Sequence, residues 1–279
     1  MSLKLMYITN RPEIAQIAET AGVDRIFVDL EYIGKADRQG GMDTVQSHHT
    51  LDDVRRVSDS ITTAELVVRV NPIHDATTQY ASSEYEVDAA ISNGADIVML
   101  PFFRKLDEVK RFLCAVGGRA KTMLLLETPE AVDIIDDILQ LDGIDFIHIG
   151  LNDLSLGYGM KFMFELLADG TVDRLCAKFS KAGIPYGFGG IASLGKGLIP
   201  AEMVIMEHYR LGSTCAILSR SFCNVDKISH MGIISSTFIN GLREIREFEK
   251  NCENTSATEF GNNRWELQIR VKSICEVKE

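Results

Sequence analysis

The sequence predicts an α/β protein folded as a (β/α)8 barrel, also called a TIM barrel. Three observations favour this fold. Short apolar runs alternate with longer amphipathic stretches, the alternation repeats eight times, and several of the stretches end in glycine. The apolar runs are almost uninterrupted, as in parallel strands covered on both faces. An open doubly wound sheet would more often have fewer strands and a switch point, so eight units favour a closed barrel.

The eight predicted strands are LKLMYIT, RIFVDLE, ELVVRVN, DIVMLPFF, KTMLLLET, FIHIG, PYGFGG and TCAILS, which begin at residues 3, 25, 65, 96, 121, 146, 185 and 214. Helical patterns such as PEIAQIAETAG and VDRLCAKFSKAG lie between them, with glycine in the C-cap position. Pro129 and Pro200 lie where the first turn of a helix tolerates proline. These signals agree with the unit boundaries.

Two segments fall outside the repeat. Residues 33–50 form a long polar loop after the second strand, and long loops in compact domains are usually functional or mobile. We predict a catalytic barrel domain over 1–251 and a C-terminal extension over 252–279. Within the extension, RWELQIRVKSI alternates with period two around Trp265, which indicates an edge strand or a contact with a neighbouring subunit; a flexible appendage is the alternative.

Composition excludes several classes of function. The net charge of −11 argues against a nucleic-acid partner, because such proteins usually carry a basic patch. The six cysteines form no CxxC pair, which suits a reducing compartment. The N-terminal apolar run is too short for a signal peptide, and no run is long enough to span a bilayer. We therefore expect a cytoplasmic protein with no membrane partner.

Two carboxylates follow neighbouring predicted strands. Glu127 ends the fifth strand and Asp153 closely follows the sixth. Reactive groups of (β/α)8 barrels gather at the carboxyl ends of the strands, and neighbouring strands lie about 4.8 Å apart. The two oxygen ligands can therefore reach one divalent ion, and they suit Mg²⁺ or Mn²⁺. Taken singly, each carboxylate could instead be a helix cap or a first-turn acid.

Arg69 is a charged residue in an apolar strand, where an unpaired charge would be costly. Side-chain alternation places Val67, Arg69 and Asn71 on one face of that strand. The guanidinium could bind a carboxylate or the oxygen of an enolate, or it could form a structural salt bridge inside the barrel. Asp29 and Glu31 share a face of the second strand, one strand away, so a pair with Arg69 agrees with both interpretations.

Four short motifs occur in order at the strand ends: DLE on strand two, RVN on strand three, ETPEAV on strand five and GLNDLS after strand six. Together they resemble the HpcH/HpaI aldolase and citrate lyase family over roughly residues 3 to 220. The resemblance implies a barrel of the phosphoenolpyruvate/pyruvate-domain type. It also implies assembly as a homo-oligomer, a trimer or hexamer.

The resemblance further implies roles for the residues already singled out. Glu127 and Asp153 would hold a divalent metal ion, Mg²⁺ or Mn²⁺ with Co²⁺ as a third choice, which chelates the carboxylate and keto oxygen of a small 2-oxo acid such as pyruvate. Arg69 would stabilise the oxygen of the enolate that develops when the carbon–carbon bond breaks. We expect substrate contacts from Arg69, Gly150, Leu151 and Asn152.

The expected function is that of a class II aldolase, a metal-dependent lyase that cleaves or forms a 4-hydroxy-2-oxo acid through a pyruvate enolate. A Schiff-base mechanism is disfavoured, because Lys121 lies at the start of its strand, at the opposite end of the barrel. One alternative is a citrate-lyase-like enzyme that acts on an acyl-CoA. Another is a catalytically silent barrel that binds a small 2-oxo acid.

The sequence departs from the family pattern at two positions. Aldolases of this family typically have histidine after the strand-two glutamate, where this chain has Tyr32. Asp29 and Glu31 would orient water, and Tyr32, or His48 or His49 from the long loop, would replace the usual imidazole as acid or base. The alternative for the two histidines is that they are solvated loop residues without a catalytic role. Leu125 stands where the aldolases often carry glutamine. His148 lies among apolar neighbours and is expected to be structural.

Overall fold

A computed structural model describes residues 2–34, 49–228 and 230–277 of the chain. The strands are parallel and form a closed barrel in chain order, with β8 pairing with β1, so the predicted (β/α)8 barrel is confirmed. Each predicted strand is present. The strands are β1 (Lys4–Ile8), β2 (Arg25–Asp29), β3 (Glu65–Arg69), β4 (Ile97–Leu100), β5 (Lys121–Leu126), β6 (Phe146–Ile149), β7 (Tyr186–Ile191) and β8 (Cys215–Leu218).

The helices surround the barrel; those before β8 connect successive strands, and the last two follow β8. Those of the described residues are α1 (Pro12–Ala21), α2 (Leu51–Ser58), α3 (Ser83–Ser92), α4 (Leu106–Val116), α5 (Pro129–Asp133), α6 (Ile135–Ile138), α7 (Leu151–Gly157), α8 (Glu165–Ala168), α9 (Thr171–Ala182), α10 (Ala201–Arg210), α11 (Met231–Cys252) and α12 (Ala257–Val277). Gly22 ends α1 with φ of 104°, a left-handed conformation that glycine adopts without strain. Within the described parts of the chain, no helix is both long enough and apolar enough to cross a bilayer.

The barrel interior is closed by apolar side chains that alternate along the strands. Phe27, Val67, Met99 and Met123 belong to this inner cluster, and a larger cluster lies between the strands and the helices. Since Val67 points inward, the alternation on β3 brings Arg69 to the inner side at the carboxyl end of the strand. The register pairs Arg69 with Asp29 on β2.

Strand β7 contains three glycines and pairs irregularly with β8. The register shifts between Gly187 and Gly190. A Cβ atom at Gly187 would lie 2.1 Å from the carbonyl oxygen of Cys215, so only glycine allows the two strands to approach this closely. Gly189 has φ of 50°, in the left-handed region.

The C-terminal extension is helical. Residues Asn263, Leu267 and Val271 are buried at spacings of four, the helical period, whereas Trp265 is 65% exposed. The predicted edge strand is therefore wrong: the alternation seen in RWELQIRVKSI coincides with a helical pattern whose buried residues are four apart. Helix α12 packs on α10 and α8. The division at 251/252 and the predicted subunit contact stay predictions.

Side chains of Asn263 and Arg264 attach α12 to the neighbouring helices. The Asn263 amide donates to Glu207 Oε1 at 2.9 Å and to the carbonyl oxygen of Met203 at 3.1 Å. Arg264 forms an ion pair with Asp173 at 3.0 Å. Glu207 is fully buried and its second oxygen accepts from Arg210 at 2.6 Å, so its charge is paired.

Candidate functional site

Arg69 binds two carboxylates of the neighbouring strand end. Its Nε and Nη2 atoms donate to Oδ1 and Oδ2 of Asp29 at 2.8 and 2.7 Å, which is a two-point contact. Nη1 lies 3.4 Å from Glu31 Oε2. The structure thus brings Arg69, Asp29 and Glu31 together, as the alternation on β2 and β3 predicts.

The surroundings keep this guanidinium charged. Burial alone would lower the pKa of Arg69, but Asp29 and Glu31, together with the more remote Glu127, raise it above its ordinary value. The guanidinium also lies over the ring of Phe27, with its carbon 5.5 Å from the ring centroid. Both carboxylates are almost completely buried, so the arginine provides the charge that makes their burial possible.

Glu127 lies immediately beyond β5 and contacts the ends of both neighbouring strands. On the β4 side, the backbone N–H of Phe102 donates to Glu127 Oε1 at 3.0 Å. On the β6 side, a Cβ atom at Gly150 would lie 2.7 Å from Glu127 Oε2 and 2.8 Å from Glu127 Cβ. Glycine at position 150 is therefore required for the close approach of β6 to this carboxylate.

Asp153 lies in the first turn of α7, where the N-cap is Gly150. Its side chain is buried, and the amide of Asn152 donates to Oδ1 at 3.3 Å. Asp153 is therefore an acid in the first turn of a helix, one of the two interpretations of its sequence position. A ligand role is compatible with this position because Asp153 also borders two cavities.

Glu127 and Asp153 form the wall between these two cavities. The inner cavity, of about 210 Å³, lies at the mouth of the barrel and is lined among others by Arg69, Glu127, Gly150, Leu151, Asn152 and Asp153. The outer cavity, of about 430 Å³, is lined among others by Phe102, Arg104, Glu127, Glu130, Asp153 and Leu156. The predicted metal ligands and substrate contacts thus border one pocket, and their roles stay predictions.

The donors present fit a hard divalent cation. Glu127 and Asp153 supply carboxylate oxygens from adjacent strand ends, which is the chemistry that Mg²⁺ and Mn²⁺ prefer. In residues 2–34, 49–228 and 230–277, no group of three or more His, Cys, Asp or Glu side chains could hold a metal ion. Because Glu127 and Asp153 supply two carboxylates, a cation that they hold would keep coordination positions for water or for substrate oxygens.

The segment that follows β2 is held by Asn71. Its Oδ1 accepts from the backbone N–H groups of Tyr32 and Ile33, both at 2.9 Å. Its amide donates to Glu86 Oε1 at 2.6 Å. Burial raises the pKa of Glu86, although its hydrogen bonds with Asn71 act in the opposite direction.

Two of the candidate acid and base residues, Tyr32 and His49, lie in or near this segment. Tyr32 is 52% exposed and its ring contacts Tyr80, with centroids 5.6 Å apart. His49 Nδ1 accepts a hydrogen bond from the backbone N–H of Asp29 at 3.0 Å. Neither Tyr32 nor His49 is one of the described residues that line the two cavities. His48 lies outside the described residues, and the three roles stay predictions.

His148 lines the inner cavity but is deeply buried. Its Nε2 lies 3.2 Å from the carbonyl oxygen of Gly189, and burial lowers its pKa to about 4. The ring is thus neutral at ordinary pH and has a structural partner. None of the described residues that line the two cavities is a lysine, and Lys121 pairs with Glu65 at the other end of the barrel.

Sequence reasoning missed Phe102, Asn71 as a hydrogen-bonding partner of Tyr32, and Glu86. Phe102 has φ of 49°, the left-handed conformation that costs a non-glycine residue about 1–3 kcal/mol and often marks functional sites. No sequence signal identifies such a phenylalanine. The role of Asn71 could have been suspected from its place in RVN, two residues after Arg69.

Comparisons with solved structures support the same fold. An HpcH/HpaI aldolase from Desulfitobacterium hafniense DCB-2 is 16% identical, with a TM-score of 0.60 over 88% of this chain and 93% of that chain. An HpcH/HpaI aldolase/citrate lyase family protein from Burkholderia cenocepacia J2315 is 14% identical, with a TM-score of 0.61 over 88% and 95%. The citrate synthase SbnG is 14% identical, with a TM-score of 0.58 over 78% and 85%. At these identities the similarity establishes the fold alone.

Comparison with curated proteins gave no match. The family model described as HpcH/HpaI aldolase/citrate lyase matches residues 4–165, a segment that contains all the motifs at the ends of β2, β3, β5 and β6. This segment is more than half of the chain and includes the Arg69 cluster and the Glu127 and Asp153 pair. The chain therefore belongs to the HpcH/HpaI aldolase/citrate lyase family.

Proposed function

We propose that this lyase-family chain is a class II aldolase that cleaves or forms a 4-hydroxy-2-oxo acid through a pyruvate enolate. The observation that carries the proposal is that Glu127, Asp153 and Arg69 border one pocket at the mouth of the barrel. A divalent cation held by the two carboxylates would, together with the guanidinium, stabilise the negative charge on an enolate oxygen.

The chain's own residues would bind and orient the 2-oxo acid. The segment 150–152 begins α7, and its backbone borders the inner cavity together with Arg69. We assign the substrate carboxylate to the backbone of this segment and the keto oxygen to the Arg69 side. A divalent cation held by Glu127 and Asp153, Mg²⁺ or Mn²⁺ or otherwise Co²⁺, would supply positive charge to both substrate oxygens. Arg69 is already oriented by Asp29, so it would stabilise the negative charge without moving.

The proton on the 4-hydroxyl of the substrate must leave as the carbon–carbon bond breaks. We assign this proton to His49, whose ring contacts the backbone of Asp29 at the end of β2, in preference to the half-exposed Tyr32. Nδ1 of His49 accepts the hydrogen bond from the Asp29 N–H group, so the neutral ring carries its proton on Nε2, and the ring would take up the substrate proton at Nδ1 once this hydrogen bond is released. Asp29 and Glu31 would order the water between this ring and the substrate.

The test is proton exchange at the methyl group of pyruvate, followed by NMR in D2O with Mg²⁺, Mn²⁺ or Co²⁺ added. The expected result is exchange that requires the cation, stops with chelator, and falls at least about a hundredfold in Glu127→Gln and Asp153→Asn. Glu130→Gln is the matched control, because this half-exposed carboxylate lies three residues from Glu127. Exchange that is indifferent to chelator would exclude the metal role.

Two results would favour the other candidates. Mn²⁺ and oxalate binding without exchange or cleavage would identify a catalytically silent barrel. Cleavage of an acyl-CoA but of no 4-hydroxy-2-oxo acid would identify a citrate-lyase-like enzyme. The cytoplasmic location and the homo-oligomeric assembly stay predictions of the sequence.

A further inference from the structure

Phe102 presents its backbone amide to Glu127 in a conformation that phenylalanine rarely adopts. Its φ of 49° is in the left-handed region, and among the described residues no other non-glycine residue has positive φ. The N–H group donates to Glu127 Oε1 at 3.0 Å. A return of φ to negative values would turn this peptide group relative to the loop, so the hydrogen bond and the left-handed conformation depend on each other.

The loop that carries Phe102 forms hydrogen bonds with Thr128 on one side and with α4 on the other. The carbonyl oxygen of Phe103 accepts from Thr128 Oγ1 at 2.6 Å, one residue beyond Glu127. The guanidinium carbon of Arg104 lies 4.7 Å from the centroid of the Phe102 ring. The backbone N–H of Arg104 donates to Glu108 Oε2 at 2.6 Å. Because several contacts hold the loop in one conformation, the strained backbone of Phe102 persists.

Glu127 is thereby constrained from two opposite sides. Its Oε1 is fixed by the Phe102 amide at the end of β4. Its Oε2 lies against Gly150 at the end of β6, on the side from which α7 brings Asp153. Together the two contacts fix the orientation of the carboxylate plane within the wall that Glu127 and Asp153 form between the two cavities.

We infer that Phe102 is a positioning residue for Glu127: its left-handed backbone directs the amide at Oε1 and so orients the carboxylate for a divalent cation shared with Asp153. The role of the cation rests on the proposed function, whereas the hydrogen bond does not. Partners that orient a ligand in this way typically account for ten- to a hundredfold in metal affinity.

The first test compares Phe102→Gly with Phe102→Val by calorimetric titration with Mn²⁺. Both variants lose the ring and its contact with Arg104, but glycine adopts left-handed φ freely and a β-branched residue does so least. We expect the Kd for Mn²⁺ to rise at least about tenfold in Phe102→Val and to stay within about twofold of the wild type in Phe102→Gly. Thermal unfolding of both variants shows whether each is folded.

Three outcomes would overturn the inference: equal weakening in both variants, which would assign the effect to the ring; no weakening in either; or lower stability of Phe102→Val with unchanged affinity, which would indicate a merely structural role. If Phe102→Val does not fold, Phe102→Ala replaces it, with the same direction expected. Alanine adopts left-handed φ less readily than glycine.

The second test needs no metal ion. Amide hydrogen exchange at residue 102 is expected to be slow in the metal-free wild type, to stay slow in Glu127→Gln, which keeps an acceptor oxygen, and to accelerate at least about tenfold in Glu127→Ala. Equal exchange in all three proteins would overturn the inference. If the wild type binds no Mn²⁺ but the amide behaves as expected, the proposed function fails while the orientation of Glu127 by Phe102 stands.

Discussion

Arg69 and Asp29 are register partners on adjacent strands, and the guanidinium binds both oxygens of the carboxylate at 2.8 and 2.7 Å. Arg69 thus takes part in a structural salt bridge and also lines the inner cavity. The two interpretations of a buried arginine are therefore not exclusive here. Asp29 and Glu31 balance the charge of the buried guanidinium and also hold it at the pocket.

Arg69→Lys is expected to lower pyruvate proton exchange about a hundredfold or more, because an ammonium group cannot reproduce the two-point geometry. Arg69→Met should also destabilise the fold by about 3–5 kcal/mol, since it leaves Asp29 and Glu31 buried without their cation. Urea unfolding measures the second effect. Arg104→Met is the control, because its half-exposed ion pair should be worth about 0–1 kcal/mol.

Gly150→Ala should weaken Mn²⁺ binding by about tenfold or more while the barrel stays folded, because the added Cβ would lie 2.7 Å from Glu127 Oε2 and displace the carboxylate. Calorimetry measures the affinity and circular dichroism the fold. Gly261→Ala in α12 is the control: nothing lies within 4 Å of its added Cβ, and it should raise stability by about 0.5–1 kcal/mol. Unchanged affinity in Gly150→Ala would argue against Glu127 as a ligand.

His49→Asn should slow cleavage of a 4-hydroxy-2-oxo acid by about a hundredfold, the usual contribution of a general base. Tyr32→Phe and His48→Asn should stay within about threefold of the wild type, because only His49 is assigned the proton. The rate of pyruvate release, measured across pH, checks all three variants. A large loss in Tyr32→Phe with little loss in His49→Asn would transfer the role to the tyrosine.

The fold should lose stability as the pH falls below about 6.5, the usual pKa of histidine in an unfolded chain. Burial lowers the pKa of His148 to about 4 and that of His208 to about 3. Below about pH 6.5 both rings are therefore protonated in the unfolded chain but stay neutral in the folded protein. Each histidine contributes about 1.4 kcal/mol per pH unit in this range. The free energy of unfolding in urea should therefore differ less between pH 7.5 and pH 5.5 in His208→Gln than in the wild type. An identical difference would contradict the burial of a neutral ring.

Asn263→Ala should destabilise the protein by about 1–3 kcal/mol, because the fully buried Glu207 loses one of its hydrogen-bond donors. Asn262→Ala is the matched control on the exposed side of the same helix, with an expected change within about 0.5 kcal/mol. Chemical unfolding compares the two. Equal stability of both variants would mean that the contact between α12 and α10 contributes little.

The barrel and the charged cluster could be predicted because both depend on simple periodicities. Strand alternation relates Val67 to Arg69, and the closure of parallel strands brings the ends of β5 and β6, with Glu127 and Asp153, to one pocket. The C-terminal helix could not be read this way. In that segment Leu267 and Val271 are four residues apart, a spacing that is compatible with both periods two and 3.6.

The conformation of Phe102 escaped prediction for a different reason. Left-handed φ is normally anticipated from glycine or asparagine, and Phe102 adopts it because contacts from Thr128 and from Glu108 of α4 hold the loop. Such a conformation is decided by tertiary structure, which local sequence does not encode.

Eight-stranded barrels usually have interiors just wide enough for side chains to fill, so a pocket at the mouth requires positions without side chains. Strand β7 supplies them: Gly189 and Gly190 border the inner cavity, and a Cβ at Gly190 would lie 3.2 Å from the carbonyl oxygen of Ile217. The charged groups come from other parts of the chain. The size of the inner cavity and the charges on its wall thus come in part from different elements, so a side chain added on the seventh strand would narrow the cavity while Arg69, Glu127 and Asp153 stay unchanged.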